Sequence, residues 1–158
     1  MNIERFYEEN YRIVYGYLFS LCLDPHTAED LTSEVFLKAI QKINSFDGKV
    51  KASTWLCTIG RNLFLNEVRK RSRQTNLEDH ILIDPDDPET RFIQKEQLQE
   101  LLRIVTALEA PKRSVFLMRS QGMRFREIGA ALGKTENWAR VTYFRTKEQI
   151  IKEMEESK

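Results

Sequence analysis

Three features of the 158-residue chain predict an all-α fold of two small helical domains joined by an acidic linker, the second containing a helix-turn-helix. Apolar residues recur at three- and four-residue steps along most of the sequence. Glycine and proline are few, six and four, and no β-hairpin signal stands out. The formal net charge of +1 conceals a segregation. Residues 1–50 carry five basic and eight acidic groups, residues 51–73 six and one, residues 74–111 three and nine, and residues 112–147 nine and two. Two basic segments divided by an acidic one suggest two separate contacts with a polyanion. The domain boundaries that follow are 1–73, a linker over 74–91, and 92–158.

Each element has its own signal. Ile3, Phe6, Tyr7, Val14, Tyr17, Leu18 and Leu21 predict a helix over Ile3–Leu23. Tyr7, Tyr11, Tyr15 and Tyr17 read as core and rim aromatics rather than a binding platform. Asp24 can cap a new helix, and Pro25 suits its first position. That helix extends to about Ile43, with Leu31, Val35, Ala39 and Ile43 on the buried stripe and Phe36 and Ile40 widening it. Its polar face, Glu29, Asp30, Ser33, Glu34 and Lys38, is acidic toward the N-terminus, where the helix dipole favours negative charge. The period breaks over Asn44–Ser53, with a turn at Asp47-Gly48. Thr54 is the expected cap of a third helix that buries Trp55, Leu56, Ile59, Leu63 and Val68 and presents Arg61, Asn62, Asn66, Arg69, Lys70, Arg71 and Arg73. An aromatic loop followed by a donor-rich helix suits single-stranded nucleic acid, because bases stack while cations follow phosphates.

Periodicity fades from Gln74 to Thr90, where Asp84-Pro85 and Asp87-Pro88 disfavour helix. It resumes with Phe92, Leu98, Leu101, Leu102, Val105 and Leu108, and again after Pro111 with Val115, Phe116 and Met118. Met123–Lys147 then reads as helix, tight turn, helix. Ile128 and Leu132 share a face, Gly129 leaves room for a close approach, Gly133 can take the left-handed conformation, and Thr135 is placed to cap. In the last helix Ala139, Tyr143 and Ile150 fall on one side, and Arg140, Arg145 and Lys147 largely on another. Such a helix can pack on its partner and enter the major groove; the plainer reading is an amphipathic hairpin with a solvated basic face.

Composition excludes several classes. No apolar run reaches membrane-spanning length, and no N-terminal signal segment stands out, so a cytoplasmic location is expected, without direct membrane insertion. Cys22 and Cys57 lie in apolar helical patterns and read as buried free thiols. Neither His26 nor His80 has metal-ligand spacing, so neither metal nor cofactor is expected. No glycine-rich phosphate loop and no nucleophile beside a base point to an enzyme.

The segments AEDLTSEVFLKAI, STWLCTIGRNLFLNEVRKR and RSVFLMRSQGMRFREIGAALGKT, with the acidic linker between the last two, resemble a bacterial sigma factor of the extracytoplasmic-function class, in the sigma-70 superfamily. The resemblance covers essentially the whole chain. It implies that the first domain binds the clamp helices of the largest subunit of core RNA polymerase and recognises and melts the −10 promoter element. The second would bind the flap of the other large subunit and read the −35 element. By position, Asp30, Ser33, Glu34 and Lys38 resemble the polymerase contact. Phe46, Asp47, Lys49 and Lys51 belong to the loop that resembles a −10 base trap, with Arg61, Asn62, Asn66, Arg69 and Lys70 on the following helix. Thr135, Asn137, Trp138, Arg140, Val141, Arg145 and Lys147 resemble the −35 surface. The chain departs from the pattern at Ser33, where glutamine is usual, at Ala52 and Ser53, at Arg124 in place of a hydroxyl cap, at Lys134 in the turn, at Asn137-Trp138-Ala139 and at Thr142. The resemblance also implies promoter DNA and an anti-sigma factor as partners, and a monomer when free. The alternative is a helix-turn-helix repressor that acts without polymerase; it accounts for residues 112–147 but leaves 28–73 without a role.

Overall fold

The computed structural model describes residues 2–71 and 94–157. The predicted linker lies outside the described residues. Among the described residues seven α-helices follow one another: α1 (Ile3–Cys22), α2 (Pro25–Gln41), α3 (Ala52–Arg71), α4 (Gln94–Ala107), α5 (Ala110–Ser120), α6 (Phe125–Ala131) and α7 (Glu136–Glu156), with a 3-10 turn over Ile43–Ser45. Among the described residues there is no strand, and the all-α class is as expected.

The helix starts follow capping chemistry. Asn2 accepts from the Arg5 N–H at 3.2 Å and opens α1. Asp24 accepts from the Thr27 N–H at 3.3 Å with Pro25 just inside α2, as its sequence signal requires. The N–H···carboxylate and Thr27 hydroxyl bonds hold the Asp24 carboxyl below its usual range, the hydroxyl contributing most. Between α1 and α2, Leu23 turns the chain at φ 59° and sends its N–H to the Phe19 carbonyl at 2.8 Å. A left-handed leucine costs roughly 1–2 kcal/mol, which the α1–α2 packing must offset.

Helices α1, α2 and α3 pack mutually around Val14, Leu18, Val35, Phe36, Leu56 and Cys57. Gly60 lets α3 approach closely: a Cβ there would lie 3.0 Å from Leu18 and 3.2 Å from Val35. The same cluster continues without a break into Val115, Met118, Met123, Ile128, Ala131 and Ala139. Helix α5 packs on α1 and α7, and α6 on α3, α1 and α7. A smaller cluster of Ile104, Val105, Leu108 and Ile150 fixes α4 to α7.

Five sequence expectations change. Ile43 lies beyond α2, in the 3-10 turn, and is only partly buried. Ile40 and Val68 are 46% and 44% exposed, not buried, each lying in the last turn of its helix. Thr54 does not cap α3. The Trp55 N–H bonds to the Lys51 carbonyl at 3.1 Å, so the helix begins at Ala52, ahead of Thr54. Cys57 is buried as expected, but Cys22 is only partly so, since it ends α1.

Gly129 has the steric role its position suggests. A Cβ there would lie 2.6 Å from the Thr135 carbonyl oxygen, a backbone atom that cannot rotate away. Gly129→Ala should therefore force α6 and α7 apart and destabilise the protein by about 1–3 kcal/mol. Urea unfolding followed by circular dichroism measures it; an unchanged midpoint would show that the turn absorbs the methyl group.

Candidate nucleic-acid interface

The loop after α2 is tightly built. Asp47 accepts from the Lys49 N–H at 3.0 Å, and its other oxygen lies 3.8 Å from the Lys49 ammonium. Gly48 between them has φ +75°, which only glycine adopts without strain. Phe46 stacks on Trp55 of α3, ring centroids 4.8 Å apart at 25°. The aromatic that the sequence places in this loop is thus already seated on a helix face. Lys51 follows, exposed, at the start of α3.

On α3, Arg61, Asn62, Asn66, Arg69 and Lys70 are all exposed. Asn62, Asn66, Arg69 and Lys70 recur at helical spacing and form a donor stripe along the helix. Arg71 pairs with Glu67 at 3.3 Å, which neutralises one charge beside that stripe.

The helix-turn-helix is assembled as expected. The N–H of Arg124 donates to Glu127 Oε1 at 2.9 Å, so the helix-start partner here is Glu127 rather than a hydroxyl. Gly133 has φ +68°. Thr135 accepts from the Trp138 N–H at 3.0 Å and caps α7. Ala139 and Ile150 are buried, and Asn137, Arg140, Val141, Arg145 and Lys147 are exposed. Arg140 is engaged: it pairs with Glu136 at 3.0 Å and lies 5.5 Å from the Phe125 ring centroid. An exposed i,i+4 pair contributes about 0.3–0.5 kcal/mol, so a better anion would detach Arg140 readily.

The acidic stripe of α2 is on the surface: Asp30, Ser33, Glu34 and Lys38 are all exposed. Beside it Leu37 is 62% exposed, as is Ile40 in lesser degree. Sequence reading missed Leu37 as a surface residue. Its signal was its place between buried Phe36 and Ala39, three residues after Glu34, off the core stripe.

Tertiary packing brings the two basic segments together. Thr54 sends its hydroxyl proton to the Ala130 carbonyl at the end of α6, which also accepts from the Gly133 N–H at 3.2 Å. Arg61 and Asn62 of α3 line an open cleft of about 410 Å³ with Lys134 and Trp138. Lys51 and Thr135 line an adjoining recess with Arg126 and Lys134. The Lys134 ammonium stands 5.8 Å from the Trp138 ring centroid. Three polar contacts complete the seam: Arg12 with Glu127 at 3.1 Å, Ser20 with Ser114 at 2.8 Å, and the Arg113 guanidinium with the Ser20 carbonyl at 3.0 Å. Burial lowers the proton affinity of Arg113, and it pushes Tyr17, under the cleft, up to about 12. Lys134 and Thr54, which bridge the segments, were not anticipated as site residues; neither carries a sequence signal for what lies across the seam.

Residues 6–74 match the family model "Sigma-70 region 2". The RNA polymerase sigma factor YlaC of Bacillus subtilis is 29% identical over 99% of this chain and 94% of its own length. The ECF RNA polymerase sigma factor SigX of the same organism is 27% identical over 94% of this chain and 81% of its own. Among solved structures, the sigma factor RpoE in complex with the anti-sigma factor NepR, from Bartonella quintana, has a TM-score of 0.64 at 21% identity, covering 96% of both chains; this likeness is one of fold.

The hydroxyl contact across the seam yields a prediction. Thr54→Val keeps the shape but removes the donor to Ala130, and should weaken the α3–α6 contact by about 0.5–1.5 kcal/mol. Amide exchange in α6 should then rise by a matching factor while that in α2 stays constant. Equal acceleration in both helices would show that the contact stabilises the whole fold rather than the seam.

Proposed function

Because the chain belongs to the extracytoplasmic-function class of RNA polymerase sigma factors, we propose that its helical halves divide promoter recognition between them. As such a factor it binds core RNA polymerase and directs promoter-specific transcription initiation. The first unit, 1–73, would hold the clamp helices of the largest subunit through Asp30, Ser33, Glu34 and Lys38 and melt the −10 element with the Phe46–Lys51 loop and α3. The second, 92–158, would meet the flap of the other large subunit and read the −35 element with α7. The observation that carries this reading is the pairing of an exposed donor stripe on α3 with a capped, cation-bearing α7 in one chain. A repressor would leave the first of these, and the matched residues 6–74, without use.

The seam bears on the mechanism. Elements named −10 and −35 are about 25 base pairs apart, roughly 85 Å of duplex at 3.4 Å per pair. Arg61 and Trp138 line one cleft. The halves must part before both elements can be engaged, and polymerase would supply the free energy by binding only the open arrangement. An anti-sigma factor would act in the opposite sense, by favouring the closed one.

The two candidate surfaces should respond differently to mutation. Arg140→Ala should narrow the affinity gap between wild-type and mutated −35 elements by roughly 1–3 kcal/mol, as loss of a base contact does. Arg69→Ala should weaken all promoters alike and lower the salt slope by about one. Reconstituted holoenzyme titrated with promoter variants at several salt concentrations decides between them; equal weakening of every −35 variant by Arg140→Ala would make that residue a phosphate contact.

The polymerase contact has its own test. Asp30→Arg with Glu34→Arg places two positive charges where a basic partner is proposed, a juxtaposition that costs several kcal/mol. Copurification with core enzyme should be lost with helicity unchanged. Retained copurification would move the contact away from this face of α2.

A further inference from the structure

The cleft between α3 and the helix-turn-helix gathers side chains that could hold a small ligand when no promoter is bound. Its volume, about 410 Å³, falls in the range of small-molecule sites, which favour seams between packed units. Arg61 and Lys134 bring two positive charges to it from segments far apart in sequence, and among the described residues no Asp or Glu lines it. Trp138 offers an indole face, with the Lys134 ammonium 5.8 Å from its centroid. Asn62 can both donate to and accept from the edge of a flat ring. The floor includes Tyr17, whose hydroxyl burial keeps protonated against the opposing pull of Arg61, so it carries no negative charge.

A space of this size excludes a duplex but admits one ring system with an attached anion. We propose that the cleft binds a small organic anion built on a planar ring, the ring against Trp138 and the charge between Arg61 and Lys134. A purine nucleotide and an aromatic carboxylate share this chemistry. The ligand would touch both halves at once and so favour their closed arrangement in proportion to its occupancy. Arg61, Asn62 and Trp138 are also assigned to promoter contacts above; the binding itself belongs to the free chain and is measurable without polymerase or DNA.

The test is calorimetric titration and thermal unfolding of the full chain with GTP, ATP and salicylate, alongside guanosine as a ring without charge and inorganic pyrophosphate as charge without a ring. The expected result is saturable one-site binding and a raised Tm with at least one of the three aromatic anions, and neither effect with the two controls. Binding of the nucleotides alone or of salicylate alone supports the proposal and identifies the source. Arg61→Gln and Trp138→Leu should each weaken binding roughly tenfold, the loss expected for one charge-assisted bond or one stacked ring. Lys152→Gln, which removes an exposed charge elsewhere on α7, should leave it unchanged. If Trp138→Leu unfolds, Asn62→Leu at an exposed position takes its place. Pyrophosphate binding as tightly as GTP, no saturable binding by any aromatic anion, or wild-type affinity in Arg61→Gln would overturn the proposal.

Discussion

The apolar seam between α1 and the α5–α6 segment governs the rest of the molecule. Met123 is fully buried, and its terminal methyl group occupies the space that a side chain on Gly16 would need. Val115, Met118 and Ile128 are buried in the same cluster as Val14, Leu18 and Leu56. Burying such a side chain contributes about 1.5–3 kcal/mol. The exposed Arg12–Glu127 pair contributes at most about 1 kcal/mol, and the Ser20–Ser114 bond about as much. Packing therefore holds the halves together, while the polar contacts fix their register: an unmade bond in that seam would leave Ser114 buried without a partner.

This packing works against electrostatics. The two basic segments meet at one cleft, which Arg61 and Lys134 both line. Water in the open cleft screens their repulsion, and apolar contact deeper in the seam outweighs what remains. The result is a closed arrangement with positive charge at its cleft. A polyanion that drew the two walls apart, or a small anion that bridged them, would each relieve that repulsion, one by opening the seam and the other by neutralising it. Acidic α2 lies outside this competition, with Asp30 and Glu34 at the surface in either case.

Much of the fold was legible in the sequence because its determinants are local. Asp24-Pro25, Thr135, Gly133 and the three- and four-residue apolar steps each act within one turn of helix, so helix order, the caps of α2 and α7 and the helix-turn-helix follow directly. The charge segregation and the exposure of Asp30, Glu34, Asn62, Asn66, Arg140 and Arg145 follow too, since charged groups stay in water unless paired. Tertiary structure decided which apolar residues remain outside, as with Leu37, Ile40 and Val68, because periodicity marks a face and only neighbours determine how far it is covered. It also decided that Thr54 serves α6 rather than its own helix, and that Arg61 and Trp138 share a cleft. Those relations join residues some 75 positions apart. No local propensity encodes them; they arise from how two apolar surfaces, each specified separately, fit together.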